Sequence, residues 1–352
     1  MFEPKFSYTP KIVNTLSTIE RLYGSLLQQE LVPSLALQLS QENKILATHH
    51  STSIEGNPLS PRDVTNIILG DTIPTTKSER EVKNYFSTLN KIGVLAKKKD
   101  PITPRLTQDL HKVLMEGLMS HGVGEFRNGE VFIGHKNQTE LVVKHSPPFH
   151  TASKIEKALQ EVYGWTDGQK ELHPLITAGI LHHQFAYIHP FFDGNGRLAR
   201  ILTAYFLLLK QYEVVRFFIL DDYYDIDRQQ YSDMLHSADL PAGRQGEGQE
   251  TKWLEYFLEG IAYSLQAAQA RINQLKRKSL DAVSGEKRVL VTAREEDVIQ
   301  IVLDKKAVKT TDVLETLGVT RQQAHSLLAS LVKKGIVKKY GKTKTSYYRL
   351  HE

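Results

Sequence analysis

One stretch of the sequence gathers residue types that handle phosphate and protons. It reads His189-Pro190-Phe191-Phe192-Asp193-Gly194-Asn195-Gly196-Arg197-Leu198-Ala199-Arg200. An apolar helical segment leads to the histidine, and the glycines stand just before a second predicted helix. Glycines let a backbone approach an anion closely, and a helix N-terminus presents free N–H groups and the positive end of its dipole. The stretch therefore predicts an anion site with a base beside it.

The charged side chains of this stretch suit the same chemistry. Arg197 and Arg200 share one predicted helix face, where both guanidinium groups can hold phosphate oxygens. Asp193 offers a hard oxygen ligand for Mg²⁺. His189 is of the type that serves as a base near neutral pH. A glycine-rich helix entry with incidental charges would explain any one of these residues but not all of them together, so we predict phosphoryl or nucleotidyl transfer.

The stretch resembles the Fic signature, His-Pro-Phe-x-Asp-Gly-Asn-Gly-Arg-x-x-Arg, and matches every fixed position. The resemblance extends over Ser60 to Tyr263 and implies transfer of AMP from ATP to a Ser, Thr or Tyr hydroxyl of a target protein, with Mg²⁺. It implies that His189 takes the hydroxyl proton and that Asp193 holds Mg²⁺. It also implies phosphate or nucleotide contacts by Gly194, Asn195, Gly196, Arg197, Arg200 and Tyr231. An ordinary core tyrosine would explain Tyr231 equally well.

An upstream segment gains meaning from this resemblance. Ser51-Thr52-Ser53-Ile54-Glu55-Gly56-Asn57 on its own indicates a helix end with a glycine stop and a solvated glutamate. Beside a Fic motif it resembles the family's inhibitory motif, in which Glu55 pairs with Arg200 and removes it from the γ-phosphate. Ser51 and Glu55 stand one helical turn apart on one face. Whether Glu55 only inhibits, or positions water for removal of AMP, stays open.

A β-hairpin is predicted where two short apolar runs, Glu130–Gly134 and Leu141–Val143, follow Gly124-Glu125-Phe126-Arg127. Its position resembles the Fic flap, whose strand pairs with the target segment by β-augmentation. The resemblance implies that Val131, Phe132 and Ile133 border the target hydroxyl.

Two further histidines, His182 and His183, come shortly before the motif. Successive helical residues point about 100° apart. We therefore expect packing or hydrogen-bonding histidines rather than a zinc site.

Helical spacing of apolar residues predicts the elements that carry these segments. Ser60-Pro61 and Thr103-Pro104 are helix starts, and Ser78 with Glu81 has the spacing of a capping box. We predict a mainly α protein with a Fic-type helical core, a β-hairpin flap and a C-terminal winged helix-turn-helix. The predicted divisions are a helical N-terminal region over 1–75, the catalytic domain over 76–278, a linker over 279–288 and the winged helix over 289–352. Residues 238–251, with three glycines and a proline, predict a flexible surface loop.

The C-terminal segment differs in charge from the rest of the chain. From Asp304 to Arg349 it has eleven Lys and Arg against three acids, a balance of +8, whereas the whole chain has +5. Three predicted helices and a hairpin are typical of a winged helix-turn-helix. Its polar and basic residues suit DNA, namely Arg321, Gln322, Gln323, Ser326, Lys338, Lys339, Lys342 and Lys344. A protein-docking module with a solvated basic face fits equally well.

Composition excludes several classes of site. The chain has no cysteine, so disulfides, thiolate metal ligands and a cysteine nucleophile are excluded. No signal-peptide pattern or bilayer-length apolar run is visible, which predicts a cytoplasmic protein without a membrane partner. The family resemblance adds self-modification and a homodimer as expectations. The alternative functions are a deadenylylase that uses the same site and a DNA-binding regulator.

Overall fold

The computed structural model of the protein describes residues 2–28, 33–70, 73–136, 141–212, 220–239, 249–282, 291–341 and 346–351. Over these residues the protein is mainly helical, as predicted, with two short antiparallel hairpins. The helices are α1 (Pro10–Leu27), α2 (Pro33–Ile54), α3 (Pro61–Leu69), α4 (Lys77–Lys98), α5 (Pro104–Leu114), α6 (Ala152–Gly168), α7 (Pro174–Ile188), α8 (Asn195–Leu209), α9 (Leu220–Ile226), α10 (Arg228–His236), α11 (Thr251–Ala282), α12 (Ala293–Lys305), α13 (Thr310–Leu317) and α14 (Arg321–Lys333). The strands are β1 (Ile133–Lys136), β2 (Leu141–His145), β3 (Val337–Tyr340) and β4 (Tyr347–Leu350).

Contacts within the chain define two compact units. The first comprises residues 1–26 and 43–270, and the second comprises residues 27–42 and 271–352. Hairpin β1–β2 belongs to the first unit and hairpin β3–β4 to the second. Within the described part of the chain, no helix combines the length and the apolar character needed to cross a bilayer.

The centre of the first unit is helix α7, which is buried on every face. Its residues are almost all apolar or small, so no single stripe of side chains faces the core. Helix α8 packs against α7, α4 and α5, and its first turns are buried as well. The turn over residues 189–194 is therefore fixed at both ends by buried helices.

The predicted starts of α3 and α5 are confirmed. Ser60 and Thr103 are their N-caps, and each side chain accepts a hydrogen bond from a backbone N–H of the first turn. A proline follows each cap, where its fixed φ suits a helix and its missing N–H costs no hydrogen bond.

The predicted start of α4 was wrong by two residues. Thr76 is the N-cap, and Glu79 completes the capping box by accepting from the Thr76 backbone N–H. The Ser78 and Glu81 pair has the same spacing, but the Glu81 carboxylate instead accepts from the side-chain amide of Asn57 over 2.9 Å. Both pairs have the spacing of a capping box, and the tertiary contact between Glu81 and Asn57 leaves only Thr76 and Glu79 to form it.

Two segments differ in extent from their predictions. Strand β1 begins at Ile133 rather than at Glu130, with an irregular register between Ile133 and Gly134. Helix α11 continues through Ala282, so the predicted linker starts later than residue 279, and residues 283–290 lie outside the described residues.

The predicted surface loop over 238–251 is buried at both ends. Ala238 and Glu250 are each only 2% exposed, while residues 240–248 lie outside the described part. The prediction missed this because glycine and proline dominate the local composition. The ends are buried because Asp239 and Glu250 both bind the buried side chain of His183.

The second unit has an apolar core of its own. Helices α12, α13 and α14 and the hairpin β3–β4 contribute Val298, Ile299, Val302, Val313, Ala324, Leu328, Leu331, Val337 and Tyr348. Gly318 ends α13 in the left-handed conformation, with φ 62°. Thr320 then caps α14 in a box with Gln323.

We expect Gly179→Val to lower the free energy of unfolding by about 1–3 kcal/mol, the usual cost of overpacking a core. A Cβ at Gly179 would lie 2.7 Å from Leu254 Cδ2 and 3.1 Å from Phe257 Cδ1. Gly164→Ala, on the open face of α6, is the control and should stabilise by about 0.5–1 kcal/mol. Chemical denaturation measures both, and equal effects would contradict close packing of α7 on α11.

Candidate functional site

The turn between α7 and α8 has a left-handed residue at each end. His189 ends α7 with φ 49°, and Gly194 precedes α8 with φ 80°. Glycine adopts this conformation freely, whereas a histidine there carries strain of about 1–3 kcal/mol. The surroundings of His189 must therefore hold it in place.

The buried side chain of Arg127 supplies that hold. Its Nε donates to the carbonyl of His189 over 2.7 Å, and its Nη2 donates to the carbonyl of Ile188 over 3.3 Å. Its backbone N–H donates to the carbonyl of Pro190 over 2.9 Å. The end of a helix leaves carbonyls without intrahelical donors, and here one residue satisfies three of them in succession.

Asn195 fixes the middle of the turn. Its side chain accepts from the Phe191 N–H over 2.9 Å and donates to the Phe191 carbonyl over 2.8 Å. The Phe191 ring is fully buried. The side-chain amide of Asn195 is thus engaged by the turn, whereas its backbone N–H lies at the start of α8, where intrahelical acceptors are lacking.

His111 of α5 supports the same turn from below the Phe191 ring, on which it stacks at a centroid distance of 3.7 Å. Its Nδ1 accepts from the Gly124 N–H over 2.8 Å, and its Nε2 donates to the Asp193 carbonyl over 3.0 Å. A neutral imidazole makes both bonds. Burial lowers the pKa of His111 to about 4, so the ring keeps this form at neutral pH.

Arg197 is buried with part of its guanidinium unpaired. Its Nη2 donates to Asp193 Oδ1 over 3.1 Å, and its Nη1 lies 3.8 Å from Glu81 Oε1. Nε and Nη1 have no hydrogen-bond partner among the residues that the structure describes. Buried donors without acceptors are costly, so Arg197 favours an acceptor that the protein itself does not supply.

Arg200 is surrounded by acceptors from α2 and α9. Its Nε donates to Ser51 Oγ over 2.7 Å, and its Nη2 donates to the Ser51 carbonyl and to Glu55 Oε1 over 2.9 Å each. Its Nε also lies 3.0 Å from Asp221 Oδ1. Burial opposes the charge, but Glu55, Tyr231 and Asp221 outweigh it and raise the pKa of Arg200 above its usual range.

The carboxylate of Glu55 also fills the space beside Gly196. A Cβ at Gly196 would lie 2.4 Å from Glu55 Oε1, so glycine is needed for this approach. Glu55 therefore stands against the first turn of α8, where free N–H groups and the helix dipole favour a negative charge. The Glu55 side chain therefore occupies a position that would also suit an anionic ligand.

His189 is held in its neutral form. Burial, followed by electrostatic interactions with His145, Arg127 and His236, lowers the pKa of His189 to about 3. A neutral imidazole at physiological pH can accept a proton. Asp193 nearby in the turn is 48% exposed, so its carboxylate can reach a ligand.

Tyr231 lies in the core of the first unit. Its ring stacks on Tyr224 at a centroid distance of 4.1 Å, and its hydroxyl lies 2.9 Å from His182 Nε2. His182 also binds Thr203, and His183 binds two carboxylates. Both histidines are hydrogen-bonded core residues, as predicted.

The predicted flap residues lie at the start of the first hairpin. Val131 and Phe132 precede β1, and Ile133 is its first residue. Phe132 is 55% exposed. One edge of β1 pairs with β2, and β1 has no other strand partner within the described residues.

The structure adds three site residues that sequence reasoning missed, His111, Glu81 and Asp221. None belongs to the motif or has a recognisable spacing from it. A histidine among apolar residues of α5 was the available signal for His111. The other two are acids whose partners lie far away in the chain.

The residues of this site fit a nucleotide polyphosphate and a hard divalent cation. Arg197 and Arg200 leave buried guanidinium nitrogens without hydrogen-bond partners in the described residues, beside the N-terminus of α8. Gly194 and Gly196 carry no side chain that would block an approach to the backbone. The exposed oxygens of Asp193 suit Mg²⁺.

Comparison with known proteins agrees with this fold. Residues 101–207 match the model of the Fic/DOC family. The matched segment contains the whole turn from His189 to Arg200, whereas Ser51, Glu55 and Tyr231 lie outside it.

Several relatives share this domain. A protein adenylyltransferase Fic of Culex quinquefasciatus is 26% identical over 219 residues, which cover 60% of this chain and 40% of the relative. One of Nematostella vectensis is 28% identical over 185 residues, which cover 50% of this chain and 41% of the relative. The chain thus spans well under half the length of these relatives.

Solved structures share the fold. A Fic family protein from Desulfovibrio desulfuricans G20 has a TM-score of 0.64 and 23% identity, over 99% of this chain and 98% of its own. Residues 134–508 of Fic-1 from C. elegans give a TM-score of 0.57 and 21% identity, over 76% of this chain and 73% of that one.

We expect Arg127→Lys to lower the free energy of unfolding by about 1–3 kcal/mol, because lysine cannot reach both carbonyls at the end of α7 and leaves a buried acceptor unpaired. Arg80→Lys is the matched control, since Arg80 binds one exposed carbonyl, that of Gly117. The control should change stability by less than about 0.5 kcal/mol. Urea titrations measure the free energy of unfolding of both variants, and an equal loss of stability would contradict the role of Arg127.

Proposed function

We propose that this chain is a protein adenylyltransferase that moves AMP from ATP to a Ser, Thr or Tyr hydroxyl of a target protein. The observation that carries the proposal is the pair of buried arginines, Arg197 and Arg200, which open α8 with guanidinium nitrogens unpaired in the described residues. Paired guanidinium groups at a helix N-terminus suit the phosphates of a nucleotide. The names of the curated relatives, protein adenylyltransferase Fic, support AMP as the group transferred.

In the proposed reaction the hydroxyl oxygen bonds to the α-phosphorus of ATP as the bond from that phosphorus to pyrophosphate breaks. His189 accepts the hydroxyl proton, and its low pKa keeps the ring neutral beforehand. Arg197, Arg200 and the backbone N–H groups of residues 194–196 hold the phosphates. Bound at Asp193, Mg²⁺ would neutralise phosphate charge.

We propose that the target segment lies along β1. Its free edge supports pairing by β-augmentation, which needs only backbone groups of the target. Val131, Phe132 and Ile133 would then border the target hydroxyl, and the exposed ring of Phe132 would contact the target.

We further propose that Glu55 inhibits transfer. The carboxylate competes with phosphate for Arg200, because Glu55 Oε1 accepts a hydrogen bond of 2.9 Å from Arg200 Nη2. It also occupies the space beside Gly196 at the start of α8. A carboxylate and a phosphate oxygen cannot share that place, because both are negative.

Glu55→Gly should increase transfer by about 10- to 100-fold, which corresponds to the loss of one charged hydrogen bond of about 1.5–3 kcal/mol. Incubation with α-labelled ATP and Mg²⁺, with the chain itself and a lysate as acceptors, measures the label transferred. Glu55→Gly combined with His189→Ala should lose at least about 100-fold, since the base is absent.

Glu55→Gln is the matched control, because it keeps the length of the side chain and removes its charge. It should give transfer between that of the unmodified chain and that of Glu55→Gly. Equal labelling by all forms would refute both roles. If Glu55→Gly instead abolished release of AMP from a labelled acceptor, removal of AMP would be the favoured activity.

We also propose that the second unit binds duplex DNA, an activity separate from AMP transfer. The outer face of the hairpin β3–β4 supports this. The register pairs Lys338 with Arg349 and Tyr340 with Tyr347, so all four side chains share one face. Lys338 lies over the Tyr340 ring at 5.9 Å, and Arg349 over the Tyr347 ring at 5.3 Å.

Helix α14 adds polar groups to this basic unit. Arg321, Gln322, Gln323 and Ser326 are all exposed, as a base-reading helix requires. Lys342 and Lys344 of the predicted wing lie outside the described residues. Complementarity between this positive unit and the phosphate backbone favours DNA over an acidic protein, because its aromatic rings and amides also suit bases and sugars.

For the DNA proposal we expect the affinity of the full chain for duplex DNA to fall steeply with salt. Lys338→Ala and Arg349→Ala should each reduce the salt slope by about 1, since each removes one phosphate contact. Lys305→Ala is the control, because Lys305 lies on α12 and pairs with Asp312 over 3.3 Å. Fluorescence anisotropy measures the slopes, and absence of duplex binding at low salt would end the proposal.

A further inference from the structure

A single carboxylate, that of Asp239, gathers three histidines beside the turn. Its Oδ2 lies 2.7 Å from His145 Nδ1 and 2.8 Å from His236 Nδ1. Its Oδ1 lies 3.0 Å from His183 Nε2. These histidines come from β2, α10 and α7, so Asp239 joins the flap, the segment after α10 and the central helix.

The two hydrogen-bond partners of the His145 ring determine its protonation state. Its Nε2 lies 2.9 Å from the carbonyl of Tyr187, which can only accept. Its Nδ1 faces Asp239, and the hydrogen bonds of the histidines lower the pKa of that carboxyl far below its usual range in spite of burial. Both ring nitrogens of His145 thus face acceptors, and only an imidazolium donates from both.

His183 is constrained in the same way. Its Nδ1 lies 2.8 Å from Glu250 Oε1, and its Nε2 faces Asp239. Although burial opposes the charge, Glu250 and Asp239 raise the pKa of His183 to about 9. Two imidazolium rings therefore balance the carboxylates of Glu250, which is buried, and Asp239, which is mostly covered, and this pairing makes the burial of the charges tolerable.

The distances favour protons over a metal ion in this cluster. His145, His236 and Asp239 offer three ligand atoms within 4.8 Å of one another. Tetrahedral ligands about 2.0–2.1 Å from zinc stand about 3.3 Å apart. The observed 2.7 and 2.8 Å to Asp239 Oδ2 are hydrogen-bond lengths.

This cluster faces His189. His145 donates to the carbonyl of Tyr187, two residues before His189, and the charges of His145 and His236 both act on the His189 ring. Arg127 is the other cation that faces this ring. The ordinary counter-charge for a catalytic imidazole is a carboxylate, yet here the side chains whose electrostatics shift the pKa of His189 are all basic.

We propose that Asp239 is a positioning residue that holds His145 as an imidazolium beside His189, and that this charge keeps His189 neutral and ready to accept a proton. The reading of His189 as a base rests on the proposed function, whereas the charge arrangement does not. Because His145 ends β2, the same side chain ties the flap to the turn that bears the base. Displacement of the flap would therefore change the basicity of His189.

The test is NMR titration of the full chain with ¹⁵N-labelled histidine. At pH 7 both ring nitrogens of His145 and of His183 should carry hydrogen. In His145→Gln the pKa of His189 should rise, because a neighbouring positive charge is gone. His121→Gln, which removes an exposed histidine bound to Ser120, should leave it unchanged. In Asp239→Asn the His145 ring should become neutral, with hydrogen on Nε2 alone.

In the Glu55→Gly background, His145→Gln should move the acid limb of the pH–rate profile to higher pH. A purely structural defect would lower the rate without moving this limb. A singly protonated His145 ring at pH 7 in the unmodified chain would overturn the inference, as would an unchanged pKa of His189 in His145→Gln. Stoichiometric zinc that is lost in His145→Gln would overturn it in favour of a metal site. None of the NMR results depends on AMP transfer, so failure of the proposed function would be seen separately as absent labelling.

Discussion

The burial of two guanidinium groups at the start of α8 is the constraint on which the site depends. A buried cation must find acceptors, and Arg200 finds them in Ser51, Glu55 and Asp221, which come from two other helices. Arg197 finds fewer and keeps nitrogens without partners in the described residues. Arg200 likewise keeps its Nη1 without a partner in the described residues, so both guanidinium groups retain a donor that favours an added acceptor. An anion that binds here must compete with Glu55 for Arg200, so ligand binding and the internal contact are coupled through one side chain.

The turn that presents these groups is held by backbone hydrogen bonds rather than by its own sequence preferences. A left-handed histidine is unfavourable, and it persists because Arg127 binds the carbonyls around it. Asn195 closes the turn on Phe191, and His111 supports both Phe191 and Asp193. These residues fix the position of His189 relative to the N-terminus of α8, and chemistry between a base and a phosphate depends on that distance.

The electrostatic surroundings of His189 follow from the contacts that hold the turn and the first hairpin. Arg127 is placed to satisfy carbonyls, and His145 is placed to join β2 to the end of α7, yet both put positive charge beside the imidazole. The carboxylate of Asp239 pairs with His145, and that of Glu250 pairs with His183. A neutral histidine in a positive surrounding is therefore a consequence of how the turn and the flap are anchored. The segment with glycines and a proline between α10 and α11 contributes both carboxylates, although its composition indicates a simple loop.

The sequence by itself determined the helical class of the protein and the starts of α3 and α5, and the resemblance of its motifs to the Fic family predicted the pairing of Glu55 with Arg200. These features depend on local spacing, on capping chemistry or on a long motif, and such signals need no knowledge of distant residues. Tertiary structure alone decided that Thr76 rather than Ser78 caps α4, that the side chain of Asn195 binds Phe191, and that His111, Asp221 and Asp239 surround the site. Apart from the bond between Asn195 and Phe191, which spans one turn, these outcomes join residues far apart in the chain. A hydrogen bond between such residues leaves no periodicity or spacing in the sequence, because its geometry exists only after the helices have packed.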